Sequence, residues 1–184
     1  MFACGSSNRY GVFSHGPGVF GGDSAGIGLQ PRFATGGTPN PKPQRNKVQC
    51  PAVNPGSVGT RTATQVNMTR PGWQVINAGA SAYRSLSEAQ SRFPNSTHNG
   101  PGDAWRHFRW SFSMTRSMDA RAAADFANSH EVSSPNPASE TAMDLHNNAM
   151  GRAFGSNPAY SNLSPNDVAN LALRSGCLQT STGQ

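Results

Sequence analysis

The sequence predicts an all-α fold: a small bundle of four or five helices, preceded by a Gly/Pro-rich, basic and largely irregular N-terminal segment. Helix-capping patterns recur from Ser85 onward, and two segments of that half repeat polar residues at helical spacing. The 20 glycines and 14 prolines of the 184 residues crowd the first half of the chain. We therefore expect a leader at residues 1–70 and a helical, catalytic domain at residues 71–184.

Charge is divided unevenly along the chain. Residues 1–84 contain eight basic residues and one acid, Asp23, whereas residues 85–184 contain seven Arg and eight acids. The basic pI therefore belongs to the leader and is weak evidence for a nucleic-acid-binding fold. Residues 1–60 show no sustained periodicity, so we expect them to be disordered or loosely packed.

The first predicted helix of the domain starts at a capping box, in which Ser85 and Glu88 would satisfy free backbone donors, and it stops before Pro94. The upstream run at 73–76 is compatible with a strand or with the lead-in to a helix. A turn-rich segment at 95–102 then precedes a long helix, predicted from about Asp103 to Met118.

Three further helices follow from local capping signals. Asp119 is the predicted N-cap of a helix that runs to about Val132, before a loop at 133–137. Ser139 is the predicted cap of the next helix, which should end at Gly155 because glycine accepts the left-handed conformation after a helix. Residues 164–167 offer a cap, a first-turn proline and an acid for a final helix that ends near Gly176.

The cysteines and the hydropathy restrict the class of protein. Cys4, Cys50 and Cys177 lack the paired spacing of a zinc or redox motif, which leaves either a single disulfide, such as Cys50–Cys177, or free thiols. No stretch is long and apolar enough for a transmembrane segment, and no signal peptide is evident.

Polar residues share a face on two of the predicted helices. They follow the spacing i, i+3, i+4 and i+7, first at Asp103, Arg106, His107 and Trp110, and again at Asp144, Asn147, Asn148 and Gly151, with Arg152 one position further. The helix between them ends in His130-Glu131. Apolar residues flank the second stripe on both sides, so we expect it to be at least half-buried. Buried charges need partners, so these faces should meet.

Such a cluster supports three interpretations. His107, His130 and Asp144, with Glu131, could bind a divalent metal ion that activates water, while an Arg steadies an oxyanion. Without a metal, one histidine would act as a base oriented by a carboxylate. In a purely structural network, Asp103 would cap its helix, Arg106 would bridge to Asp144, and the asparagines would complete the hydrogen bonds.

Three motifs together resemble an uncharacterised domain of bacterial secreted proteins, found in C-terminal regions of wall-associated and Rhs-type polymorphic toxins. They are GDAWRH at 102–107, HE at 130–131 and MDLHNNAMGR at 143–152. The resemblance implies a bacterial or phage protein that is secreted or lies in the periplasm or cell envelope, with a cognate immunity protein as a partner. It carries functional roles to nine positions, Asp103, Arg106, His107, His130, Glu131, Asp144, Asn147, Asn148 and Arg152.

The favoured functional prediction is a secreted, antibacterial toxin-like hydrolase acting on a cell-envelope or phosphoester substrate. One alternative is a nuclease whose basic leader grips the phosphates of nucleic acid. The other is a non-enzymatic binding or structural protein with a buried polar network. No nucleophile elbow, phosphate-binding glycine loop or HExxH motif is present, which disfavours several common enzyme classes.

Overall fold

The computed structural model describes residues 47–133 and 136–183. These residues contain no β-strand, which confirms the all-α prediction, and no helix among them is long and apolar enough to cross a membrane. The predictions for residues 1–46 lie outside this part of the chain. The described residues form six α-helices and a short 3-10 helix at Pro158–Tyr160, and the α-helices are α1 (Ala63–Thr69), α2 (Gly72–Arg92), α3 (Pro101–Ser117), α4 (Ala120–Ser133), α5 (Ala138–Ser156) and α6 (Pro165–Arg174).

The predicted capping box at Ser85 is wrong. Ser85 lies inside α2, where its hydroxyl donates to the Ser81 carbonyl and accepts from the Arg109 guanidinium. The run from Gly72 to Arg92 contains no proline, so the helix continues through the cap-like residues once their side chains find tertiary partners. Residues 73–76 accordingly form the first turn of α2, and the helix ends before Pro94 as expected.

The boundaries of α3, α4 and α6 agree closely with their local signals. The Asp119 carboxylate accepts a hydrogen bond from the Ala122 amide at 2.7 Å, and the Ser164 hydroxyl accepts one from the Asp167 amide at 3.2 Å. Helix α5 differs at both ends. It starts after Pro137 rather than at a Ser139 cap, and Gly155 lies inside it, because that glycine is used for close packing against α3.

Helix α3 is the centre of the domain, with α2, α4, α5 and α6 packed around it. One apolar cluster gathers Trp105, Phe108 and Phe112 of α3 with Phe154 of α5 and Val168 of α6. A second cluster lies on another face of α3, where Trp110 and Met114 meet residues of α1, α2 and α4. Burial of this apolar area is the main stabilising contribution, and it fixes which faces of α3 and α5 meet.

A disulfide joins Cys50 to Cys177, one of the two outcomes left open by the sequence. Beside it the Val48 amide donates to the Ser175 hydroxyl at 3.0 Å, and the side chains of Val48, Cys50 and Val53 pack against the core. The packed region therefore extends upstream of the boundary predicted at residue 70. Cys4 lies outside the described residues.

Candidate functional site

The candidate site begins at the first turn of α3, where Asp103 is fully buried. One of its carboxylate oxygens accepts a hydrogen bond from the Asn99 backbone amide at 2.6 Å. The preceding loop can fold tightly over the helix because residue 102 is glycine: a Cβ there would lie 2.7 Å from the Phe93 Cβ and 2.8 Å from the Ser96 carbonyl oxygen. This loop orients Asp103 inward.

Helix α5 brings Asp144 to the same place. Asp144 Oδ1 lies 3.3 Å from His107 Nε2, and Asp103 Oδ1 lies 3.6 Å from that same nitrogen. The two helices approach closely at Gly151, where a Cβ would overlap the Phe108 carbonyl oxygen and lie 3.0 Å from the Phe112 nitrogen. The histidine therefore has a carboxylate from its own helix and one from α5 on the same ring nitrogen.

Helix α4 supplies a third acid and a second histidine. Glu131 Oε1 lies 3.8 Å from His107 Nδ1 and accepts a hydrogen bond from the Asn148 amide at 3.4 Å. The His130 ring lies 6.2 Å from the His107 ring and meets the edge of Trp110 at 5.6 Å. His130 thus borders the cluster, while Glu131 enters it.

Several polar atoms of this cluster are completely buried and make no hydrogen bond with another described residue. In native structures such atoms are rare, because each one loses its hydration without compensation. Those at the site that lack any hydrogen-bond partner in the described part of the chain are both ring nitrogens of His107, Glu131 Oε2 and Asp144 Oδ1, whereas Asp103 Oδ1 and Arg106 Nε lie 2.6 Å apart and form an ion pair with each other. A bound group at this place would supply these atoms with partners.

Asp103, His107 and Asp144 fit a divalent cation. Each offers one potential ligand atom, and these three atoms lie within 4.8 Å of one another. Carboxylate oxygens with one imidazole nitrogen form a donor set that suits first-row divalent metals such as Zn²⁺ and Mn²⁺. This buried Asp/His/Asp group could therefore hold a metal. Of the predicted ligands His107, His130 and Asp144, the structure groups His107 and Asp144 with Asp103, which lies one turn from His107 on the same helix, and the role of His130 stays a prediction.

Several buried carboxyl groups lie close together at the site. Burial, reinforced by repulsion from Glu131 and Asp103, raises the pKa of Asp144 to about 8. Burial also raises the pKa of Glu131 to about 7, although Arg106 opposes that shift. Glu140, itself buried, adds a fourth carboxylate. Four carboxyl groups share the site with one guanidinium, and the raised pKa values mean that ionising all four is unfavourable unless a cation compensates their charge.

Both histidines of the site are held in the neutral form. Burial lowers the pKa of His107 well below its usual value, and the charge of Arg106 lowers it further. The same two causes lower the pKa of His130 to about 4. A neutral imidazole is the form that can bind a metal or accept a proton.

The predicted bridge from Arg106 to Asp144 is wrong. Arg106 Nε lies 2.6 Å from Asp103 Oδ1, one turn earlier on the same helix, whereas Asp144 approaches His107. Asp103 in turn does not occupy the N-cap of α3, which is Gly100. The Arg106 side chain is 16% exposed, so it connects the buried carboxylate with the surface.

The predicted site residues Asn147, Asn148 and Arg152 of α5 differ in the contacts that they make. Asn148 belongs to the cluster, since it contacts Glu131 and its carbonyl oxygen accepts from the Ser111 hydroxyl at 2.9 Å. Asn147 instead makes two hydrogen bonds with the backbone of Gln179, at 2.9 and 3.0 Å, and so holds the C-terminal segment. Arg152 lies two turns beyond Asp144, and no ion pair among the described residues includes it.

Sequence reasoning missed Glu140 and Asn99. The Asn99 amide group donates to Glu140 Oε2 at 2.9 Å, and His98 Nδ1 lies 3.7 Å from Glu140 Oε1. Glu140 stands four residues before Asp144, so extending the polar stripe of α5 by one turn identifies it. No comparable signal marks Asn99, because its position depends on the fold of the loop before α3.

These residues define a small, disulfide-linked helical domain with a buried carboxylate–histidine cluster. A family model described as a domain of unknown function (DUF6973) matches residues 66–175, and the chain belongs to this family. The match includes every residue of the cluster. No curated protein and no solved structure matches the chain significantly.

Proposed function

We propose that this protein is a hydrolase that uses a divalent cation held by Asp103, His107 and Asp144. One observation carries the proposal: three buried side chains from two helices present potential ligand atoms within 4.8 Å of one another. Both His107 nitrogens and Asp144 Oδ1 make no hydrogen bond with a described residue, whereas Asp103 Oδ1 is paired with Arg106 Nε at 2.6 Å. A purely structural network would satisfy those atoms within the protein.

The residues around the cation site fit roles in hydrolysis. A bound divalent cation supplies Lewis acidity and lowers the pKa of water toward neutrality. Glu131, whose pKa is raised to about 7, can accept or hold a proton near neutral pH. Arg106, partly exposed beside Asp103, is placed to neutralise negative charge that develops on a substrate.

We propose a phosphoester or cell-envelope substrate and a secreted, toxin-like role. The disulfide supports an oxidising compartment such as the periplasm or the exterior of the cell. The three motifs that resemble the toxin domain include all three proposed ligands. In that role the natural partner is an immunity protein that blocks the site in the producing cell.

The direct test is the metal content of natively purified protein, measured by mass spectrometry without chelators. We expect one divalent cation per chain in the wild type and its loss in Asp144→Asn and His107→Gln. His146→Gln is the matched control, because His146 lies on α5 but contacts the Cys177 carbonyl, for which a glutamine still offers an amide. Wild-type protein that binds no cation even after incubation with Zn²⁺ or Mn²⁺ would refute the metal site.

Activity separates the hydrolase from a metal-binding structural protein. The loaded wild type should hydrolyse members of a panel of phosphomonoesters, phosphodiesters and purified envelope polymers. Glu131→Gln should retain the metal and lose about 10²–10⁴-fold in rate, which is the usual contribution of a general acid or base. A metal-loaded protein that hydrolyses none of these substrates, or a Glu131→Gln variant with full activity, would contradict the proposed mechanism.

A further inference from the structure

A second polar site lies in a pocket of about 290 Å³ between α2, α3 and the segment that leads into α6. Its residues on α3 occupy a different face of that helix from Asp103 and His107, so it is separate from the carboxylate–histidine cluster. We call it the arginine pocket. Its lining residues that carry the argument are Arg84, Arg109, Arg116, Asn77, Ser113 and Phe112.

The arginine pocket is strongly positive. Three guanidiniums line it, no lining residue is acidic, and none of the three forms an ion pair with a described carboxylate. The neighbouring acid Glu88 is already engaged by Arg92 at 3.0 Å and by the Asn166 amide at 3.1 Å. The three positive charges are therefore not compensated within the pocket.

Hydrogen bonds to neighbouring residues hold two of these arginines, Arg109 and Arg116, in place. Arg109 donates to Ser85 and to Asn166, and Arg116 donates to the carbonyl oxygens of Tyr160 and Ser161 at 3.1 and 2.7 Å. These contacts fix the directions of the guanidiniums before any ligand binds. Such preorganisation reduces the entropy that binding must overcome.

The other polar groups of the pocket are also arranged as donors. The Asn77 carbonyl oxygen accepts from the Ser117 hydroxyl at 2.8 Å and from the Ser81 hydroxyl at 3.4 Å. With this arrangement, no residue in the described part of the chain accepts a hydrogen bond from the Asn77 amide nitrogen. The Arg84 guanidinium and the Ser113 hydroxyl likewise make no hydrogen bond among the described residues. The pocket thus offers several hydrogen-bond donors that no described residue uses, while the Asn77 side-chain oxygen, an acceptor, is already occupied.

We propose that the arginine pocket binds the phosphoryl group of a small phosphate monoester. Arginine presents a planar set of donors that matches phosphate oxygens, and two negative charges suit three guanidiniums better than the single charge of a carboxylate. The apolar side chains of Phe112, Leu163 and Pro165 in the same pocket provide a surface for the organic part of the ester. This site does not depend on a metal in the carboxylate–histidine cluster.

Calorimetric titration of the full, metal-free chain with inorganic phosphate and with phenyl phosphate tests this site, at constant ionic strength. Both ligands should bind, and Arg84→Gln should weaken both about ten-fold or more, because a hydrogen bond to a charged group contributes about 1.5–3 kcal/mol. The Arg84 side chain is exposed and makes no hydrogen bond with another described residue, so its replacement should leave the fold intact. Tighter binding of phenyl phosphate would identify an ester ligand, and equal affinity would identify free phosphate.

Two further variants complete the test. Arg121→Gln removes the same charge from an exposed position of α4 outside the pocket and should change the affinity less than two-fold, by our estimate. Ser113→Asp places a carboxylate among the donors and should abolish binding. The site is refuted if Arg84→Gln binds phosphate as well as the wild type, or if Arg121→Gln weakens binding equally. Asp144→Asn must retain phosphate binding, which distinguishes this site from the proposed metal site.

Discussion

Gly151 shows how a single residue controls the site, because α3 and α5 approach each other closely at this position. Gly151→Ala would place a methyl group against the Phe108 carbonyl and the Phe112 amide, both of them backbone atoms that cannot turn aside. We expect a loss of about 1–3 kcal/mol or more in the free energy of unfolding, measured by urea denaturation, together with weaker metal binding.

Gly72→Ala is the control for this prediction. Gly72 is exposed at the start of α2, and a Cβ there would meet nothing within 4 Å. This variant should be neutral or more stable by up to about 1 kcal/mol, since alanine favours helix. Equal destabilisation by the two substitutions would mean that the α3–α5 contact does not limit stability.

Asp144 distinguishes a functional cluster from a structural one. Because burial and the neighbouring acids raise its pKa to about 8, its charged form is unfavourable in the metal-free protein. Asp144→Asn should therefore leave the chelated protein as stable as the wild type, or more stable, at pH 8. A structural network predicts the opposite, because removing one member leaves its partners uncompensated. Thermal unfolding of both proteins in the presence of chelator measures the difference.

At the scale of elements, the disulfide joins the segment before α1 to the segment after α6. Next to Cys177, the backbone of Gln179 is held by Asn147, and the Cys177 carbonyl lies 3.0 Å from the His146 ring. The two ends of the domain therefore converge on α5, the helix that carries Asp144. The contacts that hold the two ends of the domain therefore also hold α5, and with it Asp144, in position.

Removing this disulfide should destabilise the domain. In a Cys4→Ser background, Cys50→Ser/Cys177→Ser should lower the free energy of unfolding by about 2–5 kcal/mol, because the bond closes a long loop. The sequence separation of the two cysteines is 127 residues. Denaturant titration with and without reductant checks the value. A reductant that lowers the stability of the wild type but not of the double variant would confirm the cause, and an equal effect on both would contradict it.

At the scale of the whole molecule, the buried acids and histidines make metal-free stability depend on pH. The raised pKa values of Glu131 and Asp144, about 7 and 8, mean that stability is lost as pH rises toward those values. The lowered pKa of His130, about 4 against an ordinary 6.5, means that stability is lost as pH falls below 6.5. The two effects on stability oppose each other between about pH 4.5 and 6.5. Above pH 6.5 only the effect of the carboxylates remains.

We therefore expect the melting temperature of the chelated protein to fall between pH 6.5 and 8. Excess Zn²⁺ should reduce or reverse that fall, because metal binding strengthens as its ligands lose their protons. Differential scanning calorimetry at several pH values measures both trends. A melting temperature that rises with pH in the chelated protein would show that the acids of the cluster are not destabilised by burial.

Much of the helical pattern is readable from local sequence. Asp119, Ser164 and Pro165 act on backbone groups within a few residues, and their helices start where these residues predict. Ser85 and Ser139 resemble caps equally well, yet one is inside α2 and the other is inside α5. The Ser85 hydroxyl is bound by Arg109 of α3, and a short sequence window does not contain that partner.

The sequence by itself determined the all-α class and the polar faces of α3 and α5 that turn inward. It also determined that His107 and Asp144 belong to these faces. These features depend on helical periodicity, which is local. Only the tertiary structure decided that Asp103 joins His107 and Asp144 as a potential ligand, that Asn147 binds the C-terminal segment, and that three arginines line one pocket. Each of these outcomes depends on how closely helices pack, and that distance is set by residues far apart in the chain, such as Gly151 against Phe108.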